Sequence, residues 1–192
     1  MNTRWRTHGG FSLIEVLVAL LVLAVGALGA GAMVLQARRA AQQSVRLSAA
    51  VQLAARTGES MRANRAASAA ADAANPYLQL DYDALADGPP ALAGDCSGAA
   101  CDSAALAAAD LAALRLDLFT HFPLGRIKIC RDSAWWHAGA AAMRWECNGV
   151  AAAPVVVKIG WRQRHASGGE VAGGAPVLVA LPLVLTSGGG IP

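Results

Sequence analysis

Glu15 is the first residue whose chemistry stands out. It is a carboxylate at the head of an apolar run, Val16 to Leu35, that carries no charge over twenty residues. At 1.5 Å rise per residue such a run spans about 30 Å as a helix, the thickness of a bilayer's hydrocarbon core. A charged side chain at the centre of a membrane helix costs about 2.5–3.5 kcal/mol on insertion scales, so an acid in a span needs a partner. Glu15 lies near the end of the span, which lowers the cost without removing the need. The second group is four cysteines, Cys96, Cys101, Cys130 and Cys147. An even count after a membrane-targeting segment points to two disulfides in an oxidising compartment. Three pairings are possible, and proximity favours Cys96 with Cys101 and Cys130 with Cys147. A zinc site is the rival, but the spacings C-x4-C and C-x16-C lack the usual close C-x2-C pair.

Other reactive residues form no constellation. G-x-S-x-G, the phosphate-binding loop and H-E-x-x-H are absent. His8, His121, His137 and His165 fall in different predicted elements. Trp135-Trp136-His137 reads as a hairpin tip, where aromatics can meet a glycan or a protein, or fold back on the sheet; packing is the favoured reading. Asp81, Asp83, Asp87 and Asp95 make residues 66–94 and their border acidic, but a calcium loop also needs a central glycine and a terminal glutamate. A solvated loop is the simpler expectation. These absences point away from an enzyme, and no metal or cofactor is expected.

The elements that must carry these residues follow from patterning. Residues 1–10 are polar and carry Arg4 and Arg6, like the charged start of an export signal. No small-x-small cleavage site follows at a normal distance, and the apolar run is too long for a removable signal core. Gly26, Gly29 and Gly31 lie in the span; they either allow close helix packing or let the segment loosen. The helical pattern continues through Leu47, Val51, Ala54, Gly58 and Met61, one face of a helix running from Phe11 to about Arg65. Residues 36–65 carry six arginines against Glu59, whereas residues 66–192 hold eight basic and eleven acidic residues. The result is a basic rod and a mildly acidic head, without the basic head of a nucleic-acid module. Arginines flank the span on both sides, so charge counting leaves orientation open, and the cysteines place the carboxy-terminal side outside the cytoplasm.

After the rod, Asn75-Pro76 and Gly88-Pro89-Pro90 mark residues 66–94 as a connector. Asp102 or Ser103 can cap a helix bearing Leu106, Leu111, Leu114, Leu118 and Phe122 on one side, ending at Pro123 and Gly125. Four strands are expected next: Arg126–Arg131; Met143–Cys147, paired with it as a hairpin under a Cys130–Cys147 clip; Val155–Trp161; and Val177–Thr186, with Pro182 arguing for an edge or a bulge. Ile127, Ile129, Trp145, Val155, Val157, Ile159, Trp161 and residues 177–185 are the expected core. The fold class is α+β: a long amino-terminal helix, its first half in the membrane, packed on a four-stranded antiparallel sheet.

Gly10-Phe11-Ser12-Leu13-Ile14-Glu15 with the long apolar helix resembles the class III signal of type IV pilins and of type II secretion pseudopilins. The resemblance is specific over residues 9 to about 40. It implies a leader at 1–10, a membrane and polymerisation helix at 11–35, its amphipathic continuation at 36–65 and a periplasmic head at 66–192. It implies cleavage between Gly10 and Phe11 by prepilin peptidase, N-methylation of Phe11, and pairing of Glu15 with the Phe11 amine of a neighbour. Glu59-Ser60-Met61-Arg62-Ala63-Asn64, the Cys96/Cys101 pair and the helix containing Asp110 resemble the minor pilins called type IV pilus modification proteins, the PilV group. Such a protein would start in the inner membrane, end on the pilus or cell surface, and prime or cap the fibre, with a possible adhesive role. Its partners would be other minor pilins, the major pilin, prepilin peptidase and the inner-membrane assembly platform. A minor pseudopilin of type II secretion is the alternative, and a membrane-anchored periplasmic enzyme a third.

Overall fold

The computed structural model describes residues 12–91, 96, 100–162 and 175–183. The chain divides into two compact units, Met1–Val45 and Arg46–Pro192. One helix, α1 (Leu13–Ala63), contributes to both. In the first unit no described side chain is buried, and the exposed ones include Leu13, Leu17, Leu21, Val25 and Leu28. This segment is long and apolar enough to cross a membrane.

The second unit holds the core. The helix supplies Ala50, Leu53, Ala54, Thr57, Gly58 and Met61 to it. The expected stripe is therefore displaced: Ala54, Gly58 and Met61 are buried, but Leu47 and Val51 are exposed while Ala50 and Leu53 take the inner positions. Leucine and valine at the edge of a stripe look identical in sequence to the same residues at its centre. At Gly58 the helix comes close to β6 (Val177–Leu183), since a Cβ there would lie 2.8 Å from Leu183 Cδ2.

After α1 come a short helix α2 (Arg65–Ser68), a 3-10 turn (Pro76–Gln79) and β1 (Asp81–Asp83). Asn64 caps α2 by accepting from the Ala67 N–H, and Asn75 caps the 3-10 turn by accepting from the Tyr77 N–H. The expected connector is thus partly core: Tyr77, Leu80 and Tyr82 are buried. Helix α3 (Ser103–His121) begins at Asp102, whose carboxylate accepts from the Ala105 N–H. Its Leu111, Leu114 and Leu118 are buried, as is Phe122 just after it, whereas Leu106 is exposed at the edge of the stripe.

The sheet has six strands rather than four: β1, β2 (Arg126–Arg131), β3 (Trp136–His137), β4 (Ala142–Met143), β5 (Val155–Gly160) and β6 (Val177–Leu183). All pairings are antiparallel, in the order β1-β2-β5-β6-β4-β3. The expected hairpin between Arg126–Arg131 and Met143–Cys147 does not form. β2 pairs with β1 and β5, and Met143 pairs with Trp136 and with Val177. A disulfide does not require its two segments to be neighbouring strands, so a clip alone cannot assign the ladder. Pro182 stands opposite Val156 at the end of β6, beyond the single β4 contact at Val177, where a missing N–H is tolerated.

Successive strand residues point to opposite faces. Ile127, Ile129, Val155, Val157, Ile159, Val179 and Leu183 join the core cluster with the helices. The other face is covered too, because all six residues of β5 are buried, including Val156 and Lys158. The cover is the segment between β4 and β5. Trp145 donates its indole N–H to the Ala175 carbonyl and lies under the Arg126 guanidinium, 4.6 Å from the ring centroid. Gly160 is required beneath it: a Cβ would sit 1.9 Å from the Pro176 carbonyl oxygen and 3.0 Å from Trp145 Cζ2.

Candidate functional site

Glu15 stands in the first turn of α1. The Ser12 carbonyl accepts from the Glu15 and Val16 N–H groups at 3.0 and 3.3 Å, which sets the start of the helix. The leading N–H groups of a helix lack intrahelical acceptors, and its dipole favours a negative charge there, by about 0.3–1 kcal/mol at an exposed site. The helix itself therefore favours an acid at this position. The side chain is exposed, in line with the uncovered apolar surface that follows. Gly10 and Phe11, the expected cleavage pair, lie outside the described residues.

Cys96 is bonded to Cys101, and Cys130 to Cys147. The second bond ties β2 to the segment that covers the far face of the sheet. Under that segment lies an ion pair with no counterpart in the sequence reasoning. Lys158 Nζ donates to Asp132 Oδ2 at 2.6 Å, to the Arg144 carbonyl at 2.9 Å and to the Glu146 carbonyl at 2.8 Å. Both side chains are wholly buried. All three ammonium protons are placed, and the second Asp132 oxygen accepts from the Ala134 N–H. Burial alone pushes the Asp132 carboxyl up. Hydrogen bonds from Lys158, Ala134 and Asn148, with the Lys158 charge, outweigh burial and hold it below the usual carboxylate range. The signal was a lysine in the middle of an otherwise apolar strand, Val155-Val156-Val157-Lys158-Ile159, which alternation alone assigns to solvent.

A second polar knot joins three elements. Tyr77 is buried; its hydroxyl donates to Asp110 Oδ2 at 2.7 Å and accepts from Asn64 Nδ2 at 3.3 Å. Asn64 also donates to the Ser103 carbonyl and accepts from the Ser103 hydroxyl. Burial, with the Asp110 bond, raises the Tyr77 pKa and keeps the phenol neutral. Asp110 thus has a positioning contact, but no histidine or other base lies in the knot.

The remaining candidates stay apart. Trp136 is exposed on β3 and does not fold back on the sheet. His137 accepts from the Ala140 N–H, and His121 Nδ1 lies 3.0 Å from the Asp117 carbonyl oxygen. Asp81 pairs with Arg126 and Lys128, while Asp83 and Asp87 accept from nearby backbone N–H groups. Asp95, His8 and His165 lie outside the described residues. Among the described residues no group of three His, Cys, Asp or Glu side chains is placed to hold a metal.

Against known proteins, one stretch decides the comparison. Residues 5–31 match the prokaryotic N-terminal methylation motif. The chain thus carries a type IV pilin-like signal, continuous with the uncovered apolar helix. No curated protein and no solved structure matches it. The pilin-like match ends before Glu59–Asn64, the Cys96–Cys101 pair and Asp110, which carry the narrower resemblance to the PilV group.

Proposed function

We propose that the chain is a non-enzymatic pilin-like subunit and, more narrowly, a minor pilin of type IV pilus assembly. The observation that carries this reading is the methylation motif at residues 5–31, running into a helix whose apolar side chains from Leu13 to Val45 are all exposed. In this reading prepilin peptidase cuts between Gly10 and Phe11, and the new Phe11 amine is N-methylated. That amine is a cation at membrane depth, and Glu15 of an adjacent subunit is an anion at similar depth. Pairing removes two unpaired charges from lipid, and breaking such a buried pair costs about 3–5 kcal/mol. Glu15 therefore reports correct stagger between packed helices. The head lies in the periplasm, where its two disulfides persist. Other pilins, the peptidase and the assembly platform are the partners.

Mass spectrometry of the amino terminus tests the first step: a mature chain beginning at methylated Phe11 is expected, and an intact leader sinks the reading. Gene deletion tests the narrower role. Lost twitching with normal exoprotein secretion supports the pilus; lost secretion with normal twitching assigns the chain to a type II pseudopilus instead.

A further inference from the structure

The head carries a half-open groove of about 170 Å³ between the end of α1 and α3. Leu53, Leu111 and Leu114 form its buried wall, and Asp110 and Asp117 line it from α3. Asp110 is held by Tyr77, and neither carboxylate has an ion-pair partner among the described residues. Arg56 lines the groove from α1 but pairs with neither. Asp110 and Asp117 are seven residues apart, two turns of helix, so they share a face about 10 Å apart. Ala113 lies between them, exposed, with only a methyl group to limit a close approach.

The same chain holds the complementary pattern. Arg39 and Arg46 of α1 are also seven residues apart, and neither has an ion-pair partner among the described residues. Two cations at a two-turn spacing match two anions at a two-turn spacing when helices lie side by side. We propose that the groove is a docking site for the Arg39–Arg46 segment of a second copy of this chain, with the arginines seated on Asp110 and Asp117. This rests on the pilin-like reading, in which the helices of adjacent subunits pack side by side, and on two of those subunits being copies of this chain. It adds a contact between the head of one subunit and the basic stem of another, distinct from the pairing at Glu15.

The test uses the full chain in bacterial membranes, with a photo-crosslinking amino acid in place of Ala113. Expected is a dimer-sized adduct whose linked peptide contains residues 40–46. D117R should lower the adduct about fivefold, the size of one exposed ion pair. Co-expression of the D117R head with a stem reversed at one arginine only should restore it for whichever of R39D and R46D faces position 117. Asp117 is half-exposed and its carboxylate makes no contact the fold depends on, so D117R should keep the wild-type melting temperature. An adduct unchanged by D117R, one joined to a different protein or peptide, or none at all overturns the proposal. The amino terminus of the same sample separates the two failures. A cleaved, methylated chain without the stem adduct defeats the groove alone, and an unprocessed chain defeats the pilin-like reading.

Discussion

The two units invert the usual rule of what goes inside. From Leu13 to Val45 every apolar residue is exposed, while the head buries a lysine and an aspartate completely. Among its described residues the stem has no core of its own, and lipid or other helices are the surroundings that suit such a surface. The head needs no such help: its ion pair is tolerable because every ammonium proton has an acceptor and the covering segment is stapled at Cys147. What protects a side chain is its complement of partners rather than its polarity. The head contains its partners, and the described part of the stem does not.

This contrast can be broken in stages. The largest effect on stability is expected from Asp132→Ala, which strands a buried ammonium and should cost about 3–5 kcal/mol in denaturant unfolding of the full chain in detergent. A Lys158→Met/Asp132→Leu double variant should recover most of the loss, since paired apolar replacements are often neutral. If the double variant is as unstable as the single one, the pair is not the cause. Cys130→Ser comes next. It opens a loop of sequence separation 17 and should cost about 3 kcal/mol, measured against unreduced wild type. Acid should act on the same region. The folded Asp132 pKa lies below its ordinary 3.8, so its contribution is full above that value. It is lost as pH falls through the lowered folded value. A stability profile that rises on acidification below 3.8 would contradict the assigned direction. Tyr77→Phe removes one hydroxyl from the knot and should cost about 1 kcal/mol. Smallest of all is Glu15→Val, which should leave the melting temperature of the head unchanged and processing at Gly10 intact. Its effect should appear only in sheared fibres, from which the variant should be missing; its normal recovery there would argue against the Glu15 pairing.

Much of this plan was legible in the sequence, for local reasons. A charge-free run, a capping aspartate at 102 and alternating Ile127/Ile129 and Val155/Val157/Ile159 are patterns set by a helix turn or a strand pleat, and each appears where expected. What failed depended on distant partners. Asp81-Tyr82-Asp83 reads as part of a solvated acidic loop until β2 lies alongside it and Arg126 and Lys128 pair with Asp81. Lys158 reads as solvent-facing until the segment after β4 returns over it. In the site, Glu15 and the cysteines were visible by type and spacing. The Tyr77–Asp110–Asn64 knot was not, because its members lie 13 and 33 residues apart and no periodicity links them.

The Cys130–Cys147 bond has a mechanical consequence as well. When a chain is pulled from its ends, tension passes through covalent bonds by the shortest route. A bridge between these two cysteines carries the load from β2 directly to the residues before β5, and residues 131–146 drop out of the path. Sixteen residues at about 3.4 Å each are roughly 54 Å of slack that a stretched head cannot release. The residues of this stretch that shelter Lys158, Arg144 and Glu146 among them, are therefore out of the line of force whenever the head is pulled.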